Sequence, residues 1–233
     1  MNSKQLLVSI VIPMYNEAKT IGTVIERVQT TMKLLGLNYE IIVIDDHSFD
    51  DSFVVAKQYS VRLYRLVVHR GKGVGLRVGF AKSKGDILVT IDSDGSHCPE
   101  ELSQMLYPIL NNKADLVIGS RYLCTKNVAA KKLNIFGVKL FNLIIHMFIG
   151  VHVTDSQSGY RVMRREVLEI QHLKSCGYEI ETEMLVKTVK SRFRVLEVPI
   201  SFKQRTYGSS GVDYVHDGFR IFVSIISAQI RKM

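Results

Sequence analysis

The chain has 233 residues, of which 46% are hydrophobic and 23% charged, with 16 Gly and 4 Pro. This length and composition support one sizeable hydrophobic core and exclude a disordered, fibrous or collagen-like protein. The three Cys are scattered without a CxxC pair, which argues against a disulfide framework or a zinc site, and the net charge of +9 suits an anionic partner: nucleic acid, a phosphorylated substrate or a membrane surface.

Strand and helix patterns alternate along the first half of the chain. Five short runs predict strands at residues 6–12, 41–44, 61–68, 87–91 and 116–118, of which the first and fourth are apolar and are expected to be buried. Helical spacing and capping residues predict helices between them at residues 18–35, 52–59, 76–84 and 99–110. Such alternation with short connections is typical of an α/β fold whose open, mostly parallel, twisted sheet is flanked by helices.

The pattern changes from about residue 126. The elements predicted there are an apolar helix at 133–149, a polar turn at 154–161 leading to a short strand, a helix at 180–189, a strand at 195–198, a loop at 202–211 and a final helix at 212–233. We expect a single domain over residues 1–233, with halves at 1–125 and 126–233. No apolar run of about 18 residues is uninterrupted, so no transmembrane domain is expected.

Two carboxylates follow the fourth predicted strand. Asp92 and Asp94 stand two residues apart at the end of an extended segment, so their side chains point the same way. Held this close they repel each other unless a cation lies between them, and oxygen ligands suit Mg²⁺ or Mn²⁺. A simple polar turn is the alternative interpretation. Polar loops also follow residues 12, 44 and 118, and in an open α/β sheet all these loops share one ligand-binding edge.

A glycine-rich segment follows the third predicted strand. It does not match the dinucleotide fingerprint, because Leu76 stands where a third glycine is needed. It does not match a phosphate loop either, because Gly73 follows Lys72 where Ser or Thr is required. Two interpretations stay open: a tight turn that packs closely on its helix, or a turn whose Arg70 and Lys72 face a substrate phosphate.

A second acidic cluster, Asp45, Asp46 and Asp50, follows the second predicted strand. These side chains could hold a second metal ion, or they could cap the next helix and accept hydrogen bonds from a base or from ribose hydroxyls. Because His47 is the one histidine nearby, recognition of base and hydroxyl groups is favoured.

Taken together, the motifs resemble family 2 glycosyltransferases, with the dolichyl-phosphate mannose synthase-like branch as the nearest match. They run in order across roughly residues 8–211: Pro13, Tyr15, Asn16 and Glu17; Asp45, Asp46, Ser48 and Asp50; Gly71, Lys72 and Gly73; Asp92, Ser93, Asp94, His97, Pro99 and Glu100; Gly119, Ser120 and Arg121; Asp155, Ser158, Gly159, Tyr160 and Arg161. The resemblance implies a GT-A fold, a nucleoside-diphosphate sugar donor, a polyprenyl phosphate acceptor and a metal that bridges the diphosphate.

The resemblance also implies which residues bind the donor. Those assigned to the nucleotide sugar are Pro13, Tyr15, Asn16, Glu17, Asp45, Asp46, Lys72, Asp92 and Ser93. Asp92 and Asp94 hold the metal, with Ser96 as a candidate third ligand because it stands where the family often has Gln. Residues 1–125 then form a nucleotide-sugar half and residues 126–233 an acceptor half.

Three further positions depart from the family pattern. Lys131 and Lys132 stand near the position of a family Arg, and Gly211 stands where the late loop after Arg205 often has Lys. The two C-terminal membrane spans of some members are absent from the sequence.

Sugar transfer to an anionic acceptor sets its own chemical requirements. Breaking the sugar–phosphate bond builds negative charge on the diphosphate, which a bound metal would neutralise. An acceptor phosphate needs no general base but does need cations, for which Arg121, Lys131 and Arg161 are the candidates, with surface ion pairing as the alternative. A hydroxyl acceptor would need a carboxylate base, for which Asp155 is the candidate.

We therefore predict an inverting glycosyltransferase that moves mannose from GDP-mannose to a polyprenyl or dolichyl phosphate. UDP-glucose as donor and a hydroxyl as acceptor are the alternatives. A sugar-1-phosphate nucleotidyltransferase would need a glycine-rich loop after the first strand, which residues 13–17 lack. A nucleic-acid-binding module fits the charge, but the chain has no zinc pattern or aromatic–glycine RNA motif, so no nucleic-acid partner is expected.

The lipid tail of such an acceptor predicts membrane contact. The apolar helix at 133–149 has Lys131, Lys132 and Lys139 near its start, a composition that suits the headgroup boundary of an anionic leaflet. A plain core helix is the alternative, as it is for residues 219–230. Since the cysteine usage fits a reducing compartment, we expect a peripheral protein at the cytoplasmic face of a membrane, with a membrane-protein partner as a further candidate.

Overall fold

The structure is a computed structural model that describes residues 6–123, 139, 142–147, 149–203, 205 and 207. Within these residues seven strands form one sheet in the order β3-β2-β1-β4-β6-β5-β7. The strands are β1 (Leu7–Met14), β2 (Asn38–Asp45), β3 (Arg62–Arg65), β4 (Ile87–Thr90), β5 (Leu116–Ser120), β6 (Arg161–Arg164) and β7 (Val195–Pro199). All neighbouring strands are parallel except β6, which is antiparallel to β4 and to β5.

Helices cover both faces of this sheet. They are α1 (Ile21–Leu35), α2 (Ser52–Ala56), α3 (Lys72–Lys82), α4 (Leu102–Leu110), α5 (Arg165–Glu169) and α6 (Ile180–Lys190), with a 3₁₀ turn at Pro99–Glu101 ahead of α4. Residues 142–147 are also helical. The predicted α/β fold with a mostly parallel, helix-flanked sheet is therefore confirmed, whereas the boundary between two halves of one domain stays a prediction.

Two hydrophobic clusters lie on opposite faces of the sheet. Ile10 and Ile12 pack in the cluster that includes residues of α1 and α4. Val11, which points the other way along β1, packs in the cluster that includes residues of α3 and α6. Because both faces of β1 are covered, its sequence is apolar on both faces, interrupted by Ser9, instead of alternating.

The glycine-rich segment differs from its predicted form. We expected a turn through residue 75 and a helix after it, but α3 begins at Lys72, so Gly73 and Gly75 belong to its first turns. A Cβ at Gly73 would lie 2.6 Å from the backbone oxygen of Ser175 and 2.7 Å from the Cys176 carbonyl carbon. Glycine is therefore required there by the close approach of another chain segment, which is the packing interpretation of this motif.

The predicted loop over residues 202–211 and helices over 133–149 and 212–233 fall wholly or largely outside the described residues. Among the helices that the structure does describe, none combines the length and the apolar character needed to cross a bilayer.

Candidate active site

The topology places one crevice at the carboxyl edge of the sheet. From β1 the chain moves outward through β2 to β3, whereas β4 lies on the other side of β1, so the strand order reverses between β1 and β4. Ligands of open α/β sheets bind at such a reversal. Residues 15–17 follow β1 and residues 91–97 follow β4, so both segments border this crevice. Because β6 runs antiparallel, the segment that precedes it, residues 154–160, reaches the same edge.

The loops after β1 and β2 are joined by hydrogen bonds. The backbone amide of Asn16 donates to Ser48 Oγ over 2.9 Å, and Asn16 Oδ1 accepts the amide of Phe49 over 2.8 Å. The amide of Glu17 donates to Ser52 Oγ over 2.6 Å. Asn16 adopts a left-handed φ of 54°, which Asn tolerates better than most residues. Asn16 thus fixes this loop, while its predicted contact with the nucleotide stays a prediction.

The acidic pair after β2 is tied to its surroundings. Asp45 is fully buried; its Oδ1 accepts the amide of Ser48, and its Oδ2 lies 3.2 Å from Arg65 Nε. Asp46 accepts the amides of Arg70 and Gly71, each over 2.7 Å. Asp46 therefore organises the start of the glycine-rich segment, and of the pair only Asp45 retains a buried oxygen without a hydrogen-bond partner in the described chain.

Aromatic rings border the crevice beside this pair. The rings of Tyr15 and His69 stack with centroids 4.1 Å apart, and Phe49 meets the edge of Tyr15 at 6.3 Å. Phe49 is 78% exposed, which is unusual for a large apolar side chain. A planar ligand group such as a nucleobase would find stacking partners here.

A buried lysine joins two carboxylates at the centre of the crevice. Lys72 Nζ lies 2.6 Å from Asp92 Oδ1 and 2.8 Å from Glu181 Oε1. Lys72 comes from the first residue of α3, Asp92 follows β4, and Glu181 lies in the first turn of α6. The sequence predicted the first two as donor-binding residues but did not single out Glu181.

The three charges shift one another's pKa values. Burial alone would raise the pKa of Asp92, but Lys72 outweighs it and lowers the value to about 2. Burial alone would lower the pKa of Lys72, yet Asp92 and Glu181 raise it well above its ordinary value. Burial raises the pKa of Glu181 in spite of Lys72. Two carboxylates therefore share one ammonium group, which leaves the cluster attractive to a further cation.

Gly159 has no side chain, and this leaves room for Lys72 and Asp92. A Cβ at this position would lie 2.6 Å from Asp92 Oδ2 and 2.7 Å from Lys72 Nζ. Its carbonyl oxygen accepts a hydrogen bond of 2.6 Å from Thr90 Oγ1, which fixes the glycine against the end of β4. Any larger residue would displace the lysine or the aspartate.

The residues after β4 fit a hard divalent cation. Asp94 Oδ1 accepts the amide of Ser96 over 2.9 Å, and its Oδ2 lies 4.0 Å from Arg205 Nη1. Both Asp92 and Asp94 offer oxygen atoms, and Lys72 already places a positive charge against Asp92. In the described part of the chain no three His, Cys, Asp or Glu side chains converge as a complete set of metal ligands. A divalent cation there would thus take its remaining ligands from substrate phosphates and water, as Mg²⁺ commonly does.

His97 is a further residue of this segment. It is 2% exposed, and within the described residues neither ring nitrogen has a hydrogen-bond partner. Burial lowers its pKa even though Asp92 and Asp94 act to raise it. The ring packs at 5.3 Å from that of Tyr160 and at 6.1 Å from that of Phe202.

Phe202, Lys203 and Arg205 connect the segment after β4 to the segment after β1. Lys203 donates its amide to the Ser96 carbonyl over 2.9 Å, beside an antiparallel bridge between His97 and Phe202. This pairing carries Arg205 to the loop after β1, where its guanidinium donates to the Glu17 carboxylate. Burial raises the pKa of Glu17, while Arg205 and other groups act to lower it.

A second buried ion pair lies across the crevice. Arg121 Nε and Nη2 donate to the two carboxylate oxygens of Asp155 over 2.7 and 2.8 Å. Asp155 is fully buried, whereas the Arg121 side chain is 22% exposed. The guanidinium also lies 5.3 Å above the ring of Phe202. Burial alone would lower the pKa of Arg121, but Asp155 raises it, so the arginine is a fixed positive charge at this edge.

The sequence model of the family described as Glycosyl transferase family 2 matches residues 9–170 of the chain. The protein belongs to glycosyltransferase family 2. The match includes Asp92, Asp94, Arg121 and Asp155, so the predicted family is confirmed.

Relatives of this glycosyltransferase include two proteins named for dolichyl phosphate. The chain is 28% identical to a UDP-N-acetylglucosamine–dolichyl-phosphate N-acetylglucosaminyltransferase of Methanococcus voltae, with 97% of this chain and 98% of that protein covered. It is 34% identical to a dolichol-phosphate mannosyltransferase of Pyrococcus furiosus, with 87% of this chain and 58% of that protein covered. The two names share the lipid and differ in the sugar.

A solved structure has the same fold. Glucosyl-3-phosphoglycerate synthase from Mycobacterium tuberculosis, crystallised with Mn²⁺, uridine diphosphate and phosphoglyceric acid, superimposes with a TM-score of 0.75 at 23% identity over 96% of this chain and 78% of that one. The similarity confirms the predicted GT-A fold.

The geometry changes the expected role of two acceptor-side residues of this glycosyltransferase. Arg161 is fully buried, and its guanidinium donates to the backbone carbonyls of Ser158, Glu181 and Ser156 over 2.9, 2.6 and 2.7 Å. Burial lowers its pKa to about 10. Arg161 therefore joins the segment before β6 to the first turn of α6 and has no open face for a phosphate. Asp155 in turn gives both oxygens to Arg121, which leaves it poorly placed to act as a general base.

The other predicted site residues divide into three groups. Pro13 is buried inside β1, opposite Ile44, and its predicted contact with the donor stays a prediction. Ser93 and Ser96 are buried at 5% and 2% exposure next to the carboxylates, and their predicted contacts with donor and metal stay predictions. Lys131 lies outside the described residues.

Sequence reasoning assigned no role to three residues of this site. Glu181 and Arg205 lie far along the chain from the motifs they meet, and Gly159 acts through the side chain it lacks. A possible signal for Glu181 was its place among three acidic residues at alternate positions, 179, 181 and 183, at a predicted helix start.

Proposed function

We propose that this glycosyltransferase moves a sugar from a nucleoside-diphosphate sugar to a polyprenyl phosphate, with inversion and with Mg²⁺ or Mn²⁺ as cofactor. One observation carries the proposal: two mostly buried cations border the crevice, Lys72 paired with Asp92 and Arg121 paired with Asp155. Lys72 lies 2.6 Å from the Asp92 carboxylate, and the positive charge of Arg121 also acts to lower the Asp92 pKa. Two anionic substrates need two such cations, whereas a hydroxyl acceptor needs one and a base.

The donor side would be served by Lys72 and the aspartates. The ammonium of Lys72 compensates the charge that develops on the leaving diphosphate as the sugar–phosphate bond breaks. A bound Mg²⁺ or Mn²⁺, held by Asp92 and Asp94, would add its own charge on that diphosphate. The amide-anchored loop at Asn16 and the stacked rings of Tyr15 and His69 hold the nucleoside end. These fixed groups stabilise the leaving group without having to reorganise during the reaction.

The acceptor side would be served by Arg121. Its guanidinium is held in one orientation by Asp155 and its side chain is 22% exposed, so it can direct an acceptor phosphate to the sugar. That phosphate is already ionised, so the reaction needs no general base. Asp155 can therefore bind Arg121 without loss of activity.

A cavity beside Arg121 supports a lipid-linked acceptor. It measures about 480 Å³ and lies between the helical residues 142–147 and the segment before β6. Its wall includes Tyr122, Lys139, Leu143, His146, His152 and Thr154. Tyr122 and Thr154 in this wall are the chain neighbours of Arg121 and Asp155, so the cavity lies next to that ion pair. An apolar chain attached to a phosphate at Arg121 would extend into it, and Lys139 would meet the anionic surface of a membrane.

The proposal also names the nucleotide sugar to test as donor. GDP-mannose is the first donor to test, in line with the predicted branch of the family and the mannosyltransferase of Pyrococcus furiosus. UDP-N-acetylglucosamine and UDP-glucose are the rivals, the former in line with the Methanococcus voltae relative.

A transfer assay tests the proposal directly. The full chain is incubated with Mn²⁺ or Mg²⁺, a panel of GDP- and UDP-sugars, and either a short polyprenyl phosphate or the matching polyprenol. We expect one donor to give a phosphate-dependent glycolipid, with none formed from the alcohol. Transfer to the alcohol, or equal donor hydrolysis with and without lipid, would contradict a phosphate acceptor.

Membrane contact is tested separately by sedimentation with vesicles. We propose a peripheral position at the cytoplasmic face, so binding to vesicles that contain anionic lipid should weaken as salt is raised. Equal sedimentation with neutral vesicles at all salt concentrations would point to an apolar attachment instead.

A further inference from the structure

Glu181 is a buried carboxylate that the proposed reaction does not use directly. It is 2% exposed, and its Oε2 has no hydrogen-bond partner within the described chain. Its one charged contact there is Lys72, at 2.8 Å. Burying a carboxylate costs free energy unless a nearby cation or hydrogen bonds compensate its charge.

The position of Glu181 is fixed by its backbone. Its carbonyl accepts a hydrogen bond of 2.6 Å from Arg161 Nη1, and Arg161 is itself held by two further carbonyls. The side chain thus starts from a fixed point and contacts the same ammonium group that Asp92 contacts. Lys72 is correspondingly held by two carboxylates.

The two contacts of Lys72 differ in what a substrate would do to them. Asp92 is a residue that would be shared with a divalent cation, and like charges repel, so a cation at Asp92 acts against the ammonium beside it. Glu181 comes from α6, whereas Asp92 and Asp94 follow β4, so Glu181 is not one of the two carboxylates assigned to the cation. Lys72 can therefore give up Asp92 and keep Glu181, which holds the ammonium in the crevice.

We propose that Glu181 is a positioning residue that retains Lys72 when a divalent cation takes Asp92, so that metal and lysine act on the donor diphosphate together. The inference rests on the proposed function in taking a metal-bound nucleoside diphosphate as the ligand. Without Glu181, Lys72 has Asp92 as its single carboxylate partner among the described residues and competes with the metal for it.

A double-mutant cycle on metal binding tests this proposal. Free Mn²⁺ is titrated by its electron paramagnetic resonance signal against the wild type, Glu181→Gln, Lys72→Met and the double variant, without nucleotide. We expect Lys72→Met to bind Mn²⁺ more tightly than the wild type, because the competitor is gone. Glu181→Gln should bind it about tenfold more weakly, and this loss should shrink to about twofold or less in the Lys72→Met background, since contacting residues couple by about 0.5–3 kcal/mol.

The cycle separates positioning from a general charge effect. If Glu181 acted only as one more negative charge near the metal, Glu181→Gln would weaken Mn²⁺ binding equally in both backgrounds, and that result would overturn the proposal. Glu183→Gln is the matched control, because Glu183 lies two residues further along α6 but pairs with Lys187 at 2.7 Å. It should bind Mn²⁺ like the wild type, and circular dichroism would show that all variants keep their fold.

A second readout concerns the diphosphate. At saturating Mn²⁺, Glu181→Gln should bind UDP and GDP about tenfold more weakly than the wild type, whereas the parent nucleosides should bind equally to both. Unchanged diphosphate affinity would contradict the proposal. Neither measurement requires sugar transfer, so a failure of the proposed function would be seen in the transfer assay and a failure of this inference in binding alone.

Discussion

Carboxylates at the two ends of the sheet differ in how many fixed partners they have. At the amino end Glu40 accepts from Ser9 Oγ and from the amide of Lys84, each over 2.6 Å, and pairs with Arg62. Asp115, which directly precedes β5, accepts the amide and guanidinium of Arg194. Each of these carboxylates has several fixed partners.

At the carboxyl end Asp92 and Glu181 share one lysine, and Glu181 keeps an oxygen without a hydrogen-bond partner in the described structure. Glu40 and Asp115 are therefore fixed by their partners, as Asp155 is at the other end, whereas Asp92 and Glu181 hold charge that a ligand can rearrange. Four substitutions test this difference, in order of decreasing effect.

Asp92→Asn should give the largest loss of activity. The substitution keeps the shape of the side chain but removes the charge that holds Lys72 and, in our proposal, the metal. We expect sugar transfer to fall by about 10²–10³-fold, the range seen when one preorganised electrostatic group is removed. Steady-state rates measure this. Glu40→Gln at the other end is the control and should keep the wild-type rate; a comparable loss there would erase the distinction between the two ends.

Asp155→Asn should give the largest loss of stability. Asp155 is fully buried and binds Arg121 through two hydrogen bonds, so the variant leaves a guanidinium without its counter-charge. We expect the free energy of unfolding to fall by about 3 kcal/mol, measured by chemical denaturation. Glu100→Gln breaks an exposed pair with Arg27 and should cost less than about 1 kcal/mol. Equal costs would mean that the Arg121–Asp155 pair is as weak as a surface pair.

Gly159→Ala should separate activity from stability. The added Cβ would lie 2.6 Å from Asp92 Oδ2, so Asp92 or Lys72 must move. We expect a loss of transfer of about tenfold to a hundredfold from misplacement, with a loss of about 1–3 kcal/mol in the free energy of unfolding. Gly36→Ala is the control: its φ of 64° makes the substitution strained, but nothing lies within 4 Å of the added Cβ, so stability should fall and activity should not.

Glu40→Gln should give the smallest effect, visible in the pH dependence of stability. Burial would raise the pKa of Glu40, but Ser9, Lys84 and Arg62 together lower it below its ordinary value. The ionised form is thus favoured in the folded state, so its contribution is present above the ordinary pKa and is lost as the pH falls below it. Between pH 6 and pH 3, the free energy of unfolding should fall by about 1 kcal/mol more in the wild type than in the variant. Parallel curves would show that Glu40 contributes no such linkage.

Most of the donor side could be predicted from the sequence because its signals are local. Asp92 and Asp94 follow an apolar run, and the run itself predicts both the strand and the edge at which it ends. The shortening of the predicted strand at 61–68 to Arg62–Arg65 shows the limit of that logic. At the edge of the sheet β3 has one neighbour, so apolar residues beyond the pairing with β2 need not continue the strand.

The roles of the acceptor-side arginines could not be predicted because they depend on contacts distant in sequence. Arg121 and Arg161 look alike as cations after polar turns, but one is partly exposed against a carboxylate and the other is enclosed by backbone carbonyls. Burial decides between them, and burial depends on α6, which begins 19 residues after Arg161. Glu181 was missed for the same reason.

Because β6 is antiparallel to β4, the segment before β6 reaches the site next to the end of β4. Pairing of Thr90 with Arg161, and the hydrogen bond from Thr90 to the Gly159 carbonyl, attach the segment before β6 directly to β4. The connection from β5 to that segment meets it through Asn142, which donates to the Thr154 carbonyl and accepts the Ser156 amide. It also adds Ile145 and Val153 to the core on one face of the sheet. Gly159 is therefore fixed by β4 on one side, while residues 154–156 are tied to the connection on the other.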